Sequence, residues 1–310
     1  MLDDNYLPAL QADLQRVKHP FRDQAQTHAR LVVVMATCLA FLLLTTGSAT
    51  ANVLLTFGIY AADKPSETVR KFRPLLNALE AKLSQELGES VNIRTQIANS
   101  YYQAIQELTK GEVDFVRFGP ASYITAKQGN PNVKLLAIES VKGKNFFYGI
   151  ICVQENSNIK SLTDLRGLTF AFGDRLSTIG RFLSQAALLK ANIRAADLKR
   201  FDYLGRHDRV GTAVGRGQYH AGALKENTFT KLRKKGVPIR KLISFQNITK
   251  PWIAREGLSA RIITAIRSTL LTMNDPKALK AIKKSGFLET NDSDFDIIRQ
   301  AMKRSKQFGG

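Results

Sequence analysis

Two hydroxyl side chains at the start of a predicted helix are the clearest candidates for chemistry in this sequence. Ser177 and Thr178 belong to the segment Phe-Gly-Asp-Arg-Leu-Ser-Thr-Ile-Gly, between a predicted strand and a helix over residues 178–190. Free backbone N–H groups, the positive end of the helix dipole and two hydroxyls together suit the binding of an anion. The same residues also suit simple capping of the helix. The segment lacks the G-x-x-x-x-G-K-[ST] spacing of a P-loop.

A histidine lies at a second junction between a strand and a helix. His207 follows a predicted strand over residues 201–204 and precedes a helix over residues 208–215, so either it faces a cleft at the strand end or it is an ordinary surface histidine. Ser177, His207 and Asp208 have the residue types of a hydrolytic triad, but the sequence has no G-x-S-x-G nucleophile elbow. We therefore expect a binding protein and not an enzyme, with no catalytic residue.

The elements that must position these junctions alternate between short β-rich runs and amphipathic helices from residue 53 onward. This alternation predicts an α/β fold with largely parallel sheets. Extended runs over residues 146–153 and 243–253 join and rejoin two such series, which predicts two lobes connected by two crossover strands. Lobe 1 would comprise residues 52–146 and 245–310, and lobe 2 residues 147–244. The strand-to-helix junctions would converge on the cleft between the lobes.

Charge and cysteine content narrow the classes of ligand. The 310 residues include 46 basic and 26 acidic side chains, for a net charge of +20, which favours anionic partners. Nucleic acid is not expected, because no basic stretch is interleaved with aromatic residues and the chain carries an export signal. Beyond residue 51 the only cysteine is Cys152 and the only histidines are His207 and His220, so we expect neither a metal site nor a cofactor.

The export signal is an uninterrupted apolar run over residues 31–44, followed by Ala49-Thr50-Ala51. This pattern predicts a secretory signal peptide with an A-x-A cleavage site. The alternative is an inner-membrane anchor retained through residues 31–51, although the apolar run is shorter than the ~20 residues that a spanning helix needs. Residues 1–51 are therefore interpreted as an N-terminal tail plus a signal peptide or anchor.

A series of short motifs in a fixed order resembles the phosphate/phosphite/phosphonate-binding proteins of ABC importers. The motifs are Gly58-Ile59-Tyr60, Phe72-Arg73-Pro74-Leu75, Ser100-Tyr101, Gly111-Glu112-Val113-Asp114-Phe115, Phe118-Gly119-Pro120, Asp164-Leu165-Arg166-Gly167, Ser177-Thr178-Ile179-Gly180 and Gly205-Arg206-His207-Asp208. No single motif is specific, but together they span about residues 52 to 290. The resemblance implies a two-lobed periplasmic-binding-protein (Venus-flytrap) fold, with two mixed sheets flanked by helices.

The resemblance also implies which residues hold the ligand. Residues matching Tyr101, Ser177, Thr178 and His207 bind the phosphoryl oxygens in the family, and Tyr60 ends the first matched strand. An aromatic residue of the crossover strand corresponds to Phe147, which has no hydroxyl, so one hydrogen bond of the family is either missing here or supplied by the neighbouring Tyr148.

Two further positions bear on which ligand is bound. Family members that bind aminophosphonates hold the ammonium group with acidic residues, at positions that match Asn227 and Lys250 here. A lysine cation in place of a carboxylate favours a simple anion such as phosphate, phosphite or methylphosphonate. The implied function is capture of this anion by lobe closure for delivery to an ABC permease in the inner membrane, by a periplasmic monomer. The alternative is a membrane-tethered sensory module that reports the anion level to a signalling partner.

Overall fold

The computed structural model describes residues 52–60 and 65–309. Its strands are β1 (Asn52–Tyr60), β2 (Ser90–Ala98), β3 (Phe115–Arg117), β4 (Lys134–Ser140), β5 (Phe146–Gln154), β6 (Thr169–Phe172), β7 (Arg200–Tyr203), β8 (Ala221–Lys225), β9 (Ile239–Ile248), β10 (Pro251–Ala254) and β11 (Gly286–Leu288). Its helices are α1 (Pro65–Leu87), α2 (Tyr101–Thr109), α3 (Pro120–Gly129), α4 (Ser184–Lys190), α5 (His207–Gly215), α6 (Glu226–Lys234), α7 (Ala260–Leu271), α8 (Pro276–Ile282) and α9 (Asp296–Ser305). A π-helical segment, Thr178–Leu183, runs directly into α4.

The strands form two mixed sheets. The first has the order β11-β4-β10-β3-β1-β2 and the second the order β7-β6-β8-β5-β9. Parallel pairs join β1 to β2 and β3, and β6 to β7 and β8. Strands β5, β9 and β10, which carry the chain between the sheets, pair antiparallel. The two-lobed α/β fold is confirmed, whereas the expectation of largely parallel sheets is wrong, because strands joined without a helical crossover pair antiparallel.

Helix α1 shows how the sequence builds the core of the first lobe. Phe72, Leu76, Leu79 and Leu83 recur at helical spacing and are at most 2% exposed. They belong to one apolar cluster with the strands of the six-stranded sheet. Full burial of such a side chain contributes roughly 1.5–3 kcal/mol. The helix continues through Pro74 to Leu87 without interruption.

The two crossings between the sheets lie side by side. The chain crosses at residues 141–145 and again at residues 249–250, and the N–H of Thr249 donates to the carbonyl of Asn145 at 2.8 Å. The N–H of Glu139 donates to the carbonyl of Lys250 at 3.1 Å. The predicted run over 243–253 is therefore two strands, β9 and β10, with the second crossing between them.

The C-terminal segment packs on both lobes. Helices α7 and α8 lie against α1, whereas α9 contacts both α3 and the π-helical segment. Phe308 is 1% exposed, and its ring lies 5.6 Å from that of Phe172 and 5.8 Å from that of Phe201. The N–H of Ala195 donates to the Phe308 carbonyl at 2.8 Å. The end of the chain therefore packs into the apolar core built on the five-stranded sheet.

Among residues 65–309, no helix is both long enough and apolar enough to cross a membrane. The apolar run over residues 31–51 lies outside the described residues. Its assignment as a signal peptide or an anchor stays a prediction.

Candidate anion-binding site

Ser177 is the N-cap of the helical segment that begins at Thr178. Its Oγ accepts a hydrogen bond from the N–H of Gly180 at 2.9 Å. Gly173 and Gly180 make this tight loop possible, since a Cβ on Gly180 would lie 2.8 Å from the Gly173 Cα. The capping interpretation is therefore confirmed, and it does not remove the chemistry, because a capping serine that accepts with its oxygen still has its O–H to donate.

Thr178 makes a contact across the cleft. The N–H of Ala121, in the first turn of α3, donates to the Thr178 Oγ1 at 2.9 Å. A second contact crosses at the start of α2, where the Asp174 carboxylate accepts a hydrogen bond from the N–H of Tyr101. Two helical segments from opposite lobes thus direct their N-termini toward one place, with Gly119 and Pro120 opening one of them.

Tyr60 lies at the end of β1, beside the start of α3. Its hydroxyl accepts a hydrogen bond from the N–H of Gly119 at 2.6 Å and lies 3.2 Å from the Ser122 Oγ. Its ring stacks on that of Tyr101 with the centroids 3.6 Å apart. Burial raises the pKa of Tyr60 to about 12, so the phenol keeps its proton and serves as a donor at neutral pH.

Two buried polar side chains reach the same place from the second lobe. His207 is the first residue of α5 and is 4% exposed. Asn247 lies in β9, opposite Phe147 of β5, and is 2% exposed. The Asn247 Oδ1 has no hydrogen-bond partner among the described residues. A buried amide oxygen of this kind costs free energy unless another group completes it.

These residues surround a narrow cavity between the lobes, called here the inner cavity. Its volume is about 10 Å³. It is lined by Tyr60, Tyr101, Gly119, Phe147, Ser177, Thr178, Ile179, His207, Lys225, Asn247 and Lys250. A larger cavity of about 630 Å³, the outer cavity, adjoins it and shares Tyr60, Phe147, Lys225 and Lys250.

The electrostatic field at the junction of the two cavities is positive. Burial lowers the pKa of Lys250 well below its usual value, and the nearby cations Arg117 and Lys225 lower it further. The ammonium group of Lys250 also lies 5.7 Å from the centroid of the Phe147 ring. An anion placed here would favour the protonated lysine and be stabilised by it.

Comparison with known protein families identifies the family of this chain. The model of the family described as ABC transporter, phosphonate, periplasmic substrate-binding protein matches residues 57–295. The chain belongs to this family. The resemblance seen in the sequence is thereby confirmed.

Three similar proteins illustrate the phosphonate-binding family. The probable ABC transporter phosphite-binding protein PhnD1 of Prochlorococcus marinus is 29% identical over 161 residues, which are 49% of this chain and 53% of PhnD1. The phosphate-import protein PhnD of Mycolicibacterium smegmatis is 27% identical over 181 residues, 54% of each chain. This chain thus spans about half the length of the curated relatives it matches. The solved structure of P. marinus PhnD1 with methylphosphonate has a TM-score of 0.71 at 21% identity, covers 82% of this chain and 98% of PhnD1, and shows the same fold.

The inner cavity of this phosphonate-binding-family protein is lined by most of the residues that were expected to bind the ligand. They are Tyr60, Tyr101, Phe147, Ser177, Thr178, His207 and Lys250. Tyr148 and Asn227 instead line the outer cavity, and Tyr148 is 38% exposed. Neighbouring residues of a strand point to opposite faces, and Phe147 lines the inner cavity whereas Tyr148 does not.

Sequence reasoning missed Lys225 and Asn247. Lys225 ends β8 immediately before α6, the kind of strand-to-helix junction that drew attention to His207. Asn247 is a polar residue near the end of β9, just before the second crossing. Only its pairing with β5 places it opposite Phe147.

Proposed function

We propose that this protein captures a small phosphorus oxyanion, such as phosphate, phosphite or methylphosphonate, in the inner cavity and delivers it to the permease of an ABC importer. The observation that carries the proposal is the meeting of two helical N-termini from opposite lobes, at Ala121 and at Thr178, beside further donors. Backbone amides at helix N-termini are suited to bind tetrahedral oxyanions. Family membership supports the same assignment.

The contact between Ala121 and Thr178 suggests how the ligand enters. In the proposal the lobes part, and an oxygen of the ligand replaces the Thr178 Oγ1 as the acceptor for the Ala121 N–H. Thr178 and Ser177 then donate their O–H groups to the ligand, and the Tyr60 phenol and the His207 imidazole add further hydrogen bonds. Lobe closure follows, with the side-by-side crossings at residues 141–145 and 249–250 as the hinge.

The size of the expected affinity agrees with this arrangement. A charge-assisted hydrogen bond contributes roughly 1.5–3 kcal/mol. Four or five of them, less the cost of ordering the lobes, reach the ~8 kcal/mol of a micromolar complex. Lys225 and Lys250 would repel an ammonium group, so we expect 2-aminoethylphosphonate to bind more weakly than methylphosphonate.

Titration calorimetry on the exported part of the chain tests the proposal with phosphate, phosphite, methylphosphonate and 2-aminoethylphosphonate. The double variant Ser177→Ala, Thr178→Ala should lose at least ~100-fold in affinity, since two donors to the anion are removed. The matched control is Ser161→Ala, Thr163→Ala, a pair of exposed hydroxyls 2.7 Å apart that line neither cavity, which should bind as the wild type does. Unchanged binding by the first variant would reject the site.

The proposal also places the protein in the periplasm as a monomer, exported by residues 31–51. The motivating observation is the apolar run followed by Ala49-Thr50-Ala51, together with a family that is periplasmic. Mass spectrometry of the mature protein should give an N-terminus near residue 52. A mature chain that keeps residues 31–51 would contradict cleavage, and a dimer in size-exclusion chromatography with light scattering would contradict the monomer.

A further inference from the structure

Basic side chains outnumber acidic ones in the outer cavity, and binding of a simple oxyanion in the inner cavity does not require this excess. Eight basic and two acidic side chains line it, so an anion entering the cavity meets a large excess of positive charge. One of the two acids, Glu67, is already paired with Lys231 at 3.0 Å.

A single buried carboxylate, that of Glu139, lies behind these cations. Arg117 binds both of its oxygens, at 2.6 and 2.9 Å, and the Lys284 Nζ lies 3.4 Å away. The Glu139 side chain is fully buried. One negative charge is therefore shared between two cations, and the Trp252 indole N–H also donates to the carboxylate at 3.4 Å.

Lys71 and Lys250 also line the outer cavity. Neither has an ion-pair partner among the described residues, and each instead lies near an aromatic ring, Phe72 at 5.4 Å and Phe147 at 5.7 Å. Burial lowers the pKa of Lys71 to about 7, and Arg117 and other nearby cations add to the shift. An anion that enters among these basic groups favours the protonated lysines and is stabilised by them.

The position of the cluster relative to the inner cavity limits what this anion can be. Phe147 and Lys250 line both cavities, and the Lys284 Nζ lies 5.8 Å from the Phe147 ring centroid. A group in the outer cavity is thus the immediate neighbour of one in the inner cavity. The two groups can belong to one small molecule.

We propose that the outer cavity is a second anion subsite, formed by Lys71, Arg117, Lys250 and Lys284, that binds a second anionic group of the same ligand. The preferred substrates are then compact phosphonates or phosphate esters whose substituent carries a carboxylate or a second phosphoryl group. The phosphoryl head binds in the inner cavity, so this inference rests on the proposed function. The lysine in place of a carboxylate at position 250 thereby selects for an anionic tail in addition to rejecting an ammonium group.

Titration calorimetry at fixed ionic strength tests the subsite with three probes: methylphosphonate, phosphonoacetate and phosphonoacetamide. The last has nearly the shape of phosphonoacetate without the carboxylate charge. We expect phosphonoacetate to bind wild-type protein at least ~10-fold more tightly than either of the others, about 1.4 kcal/mol. Lys71→Met should abolish this preference. It should leave the methylphosphonate affinity within about 2-fold of the wild-type value, because Lys71 lines the outer cavity but not the inner cavity.

The matched control is Lys82→Met, on the same helix but with an exposed ammonium group bonded to Asn274. It removes an ammonium group of the same helix outside the outer cavity and should keep the full preference, which separates local binding from the general attraction of a cationic protein. Equal affinities of wild type for all three probes, or equal weakening of all three by Lys71→Met, would overturn the subsite and leave the proposed function standing. Failure of wild type to bind any probe would overturn both.

Discussion

Replacing Glu139 by glutamine removes a carboxylate that Arg117 and Lys284, two cations of the outer cavity, share. The side chain is fully buried, forms two hydrogen bonds to Arg117 and lies 3.4 Å from Lys284. Breaking a buried ion pair from one side costs ~3–5 kcal/mol, because the partner charge is left without compensation. At roughly 2–4 °C per kcal/mol for a domain of this size, we expect the melting temperature of Glu139→Gln to fall by on the order of 10 °C.

Urea unfolding at pH 7, followed by circular dichroism, measures this loss as a lower midpoint with an unchanged slope. The control is Glu89→Gln, which removes the carboxylate of an exposed pair, 2.7 Å from Arg261, and should cost less than about 1 kcal/mol. Adding Arg117→Met to Glu139→Gln should restore part of the lost stability, since the uncompensated charge is then gone. A Glu139→Gln variant within 1 kcal/mol of wild type would refute the reasoning that the carboxylate neutralises the cluster.

The same residue gives the wild type a defined acid sensitivity. Burial by itself would raise the pKa of Glu139, but Arg117 and Lys284 outweigh burial and hold it far below its ordinary value of 4.5. The unfolded chain therefore takes up this proton at higher pH than the folded chain does. The contribution of Glu139 to stability is complete above about pH 4.5 and is lost as the pH falls below it. Glu139→Gln should lack this part of the acid transition.

Three further predictions follow from single residues. Burial lowers the pKa of Lys71 from 10.5 to about 7, so the unfolded chain binds more protons than the folded chain between these pH values. The free energy of unfolding should therefore rise with pH from 7 toward 10 in wild type but not in Lys71→Met. Urea titrations at several pH values measure this difference. Phe308→Ala should cost ~3–5 kcal/mol, because the ring fills the core of the second lobe, and a loss below 1 kcal/mol would argue against that packing. Asn247→Leu should leave the stability of the ligand-free protein nearly unchanged. It should weaken methylphosphonate binding about 10-fold in calorimetry. A strong loss of stability with unaltered binding would show that the amide is structural.

Local features of this protein could be predicted from sequence because they depend on short-range geometry. The apolar spacing in α1 and the small and hydroxyl residues from Gly173 to Gly180 specify their elements through contacts within a few residues of one another. The alternation of such elements predicted the α/β class and the two crossings. The order of short motifs across the chain predicted the family, which the match over residues 57–295 confirms.

Strand pairing and the packing of the two lobes determined the features that the sequence did not predict. Tyr148 and Phe147 are adjacent in sequence, but only the strand's place between β8 and β9 determines that Phe147 lines the inner cavity and Tyr148 does not. Phe308 was expected in the first lobe and lies in the core of the second, since its ring fills a gap beside Phe172 that no spacing along the chain reveals.

The cationic cluster shows most clearly what only the tertiary structure decides. By itself the sequence determined the surplus of positive charge, the helix start at Ser177 and Thr178 and the family. It did not determine that Lys71, Arg117, Glu139 and Lys284 come together, because they belong to four separate segments whose approach depends on the register of β4, β10 and β11 and on the packing of α1. Electrostatic interactions depend on distance in space and on burial, and both arise only when these elements are packed against one another.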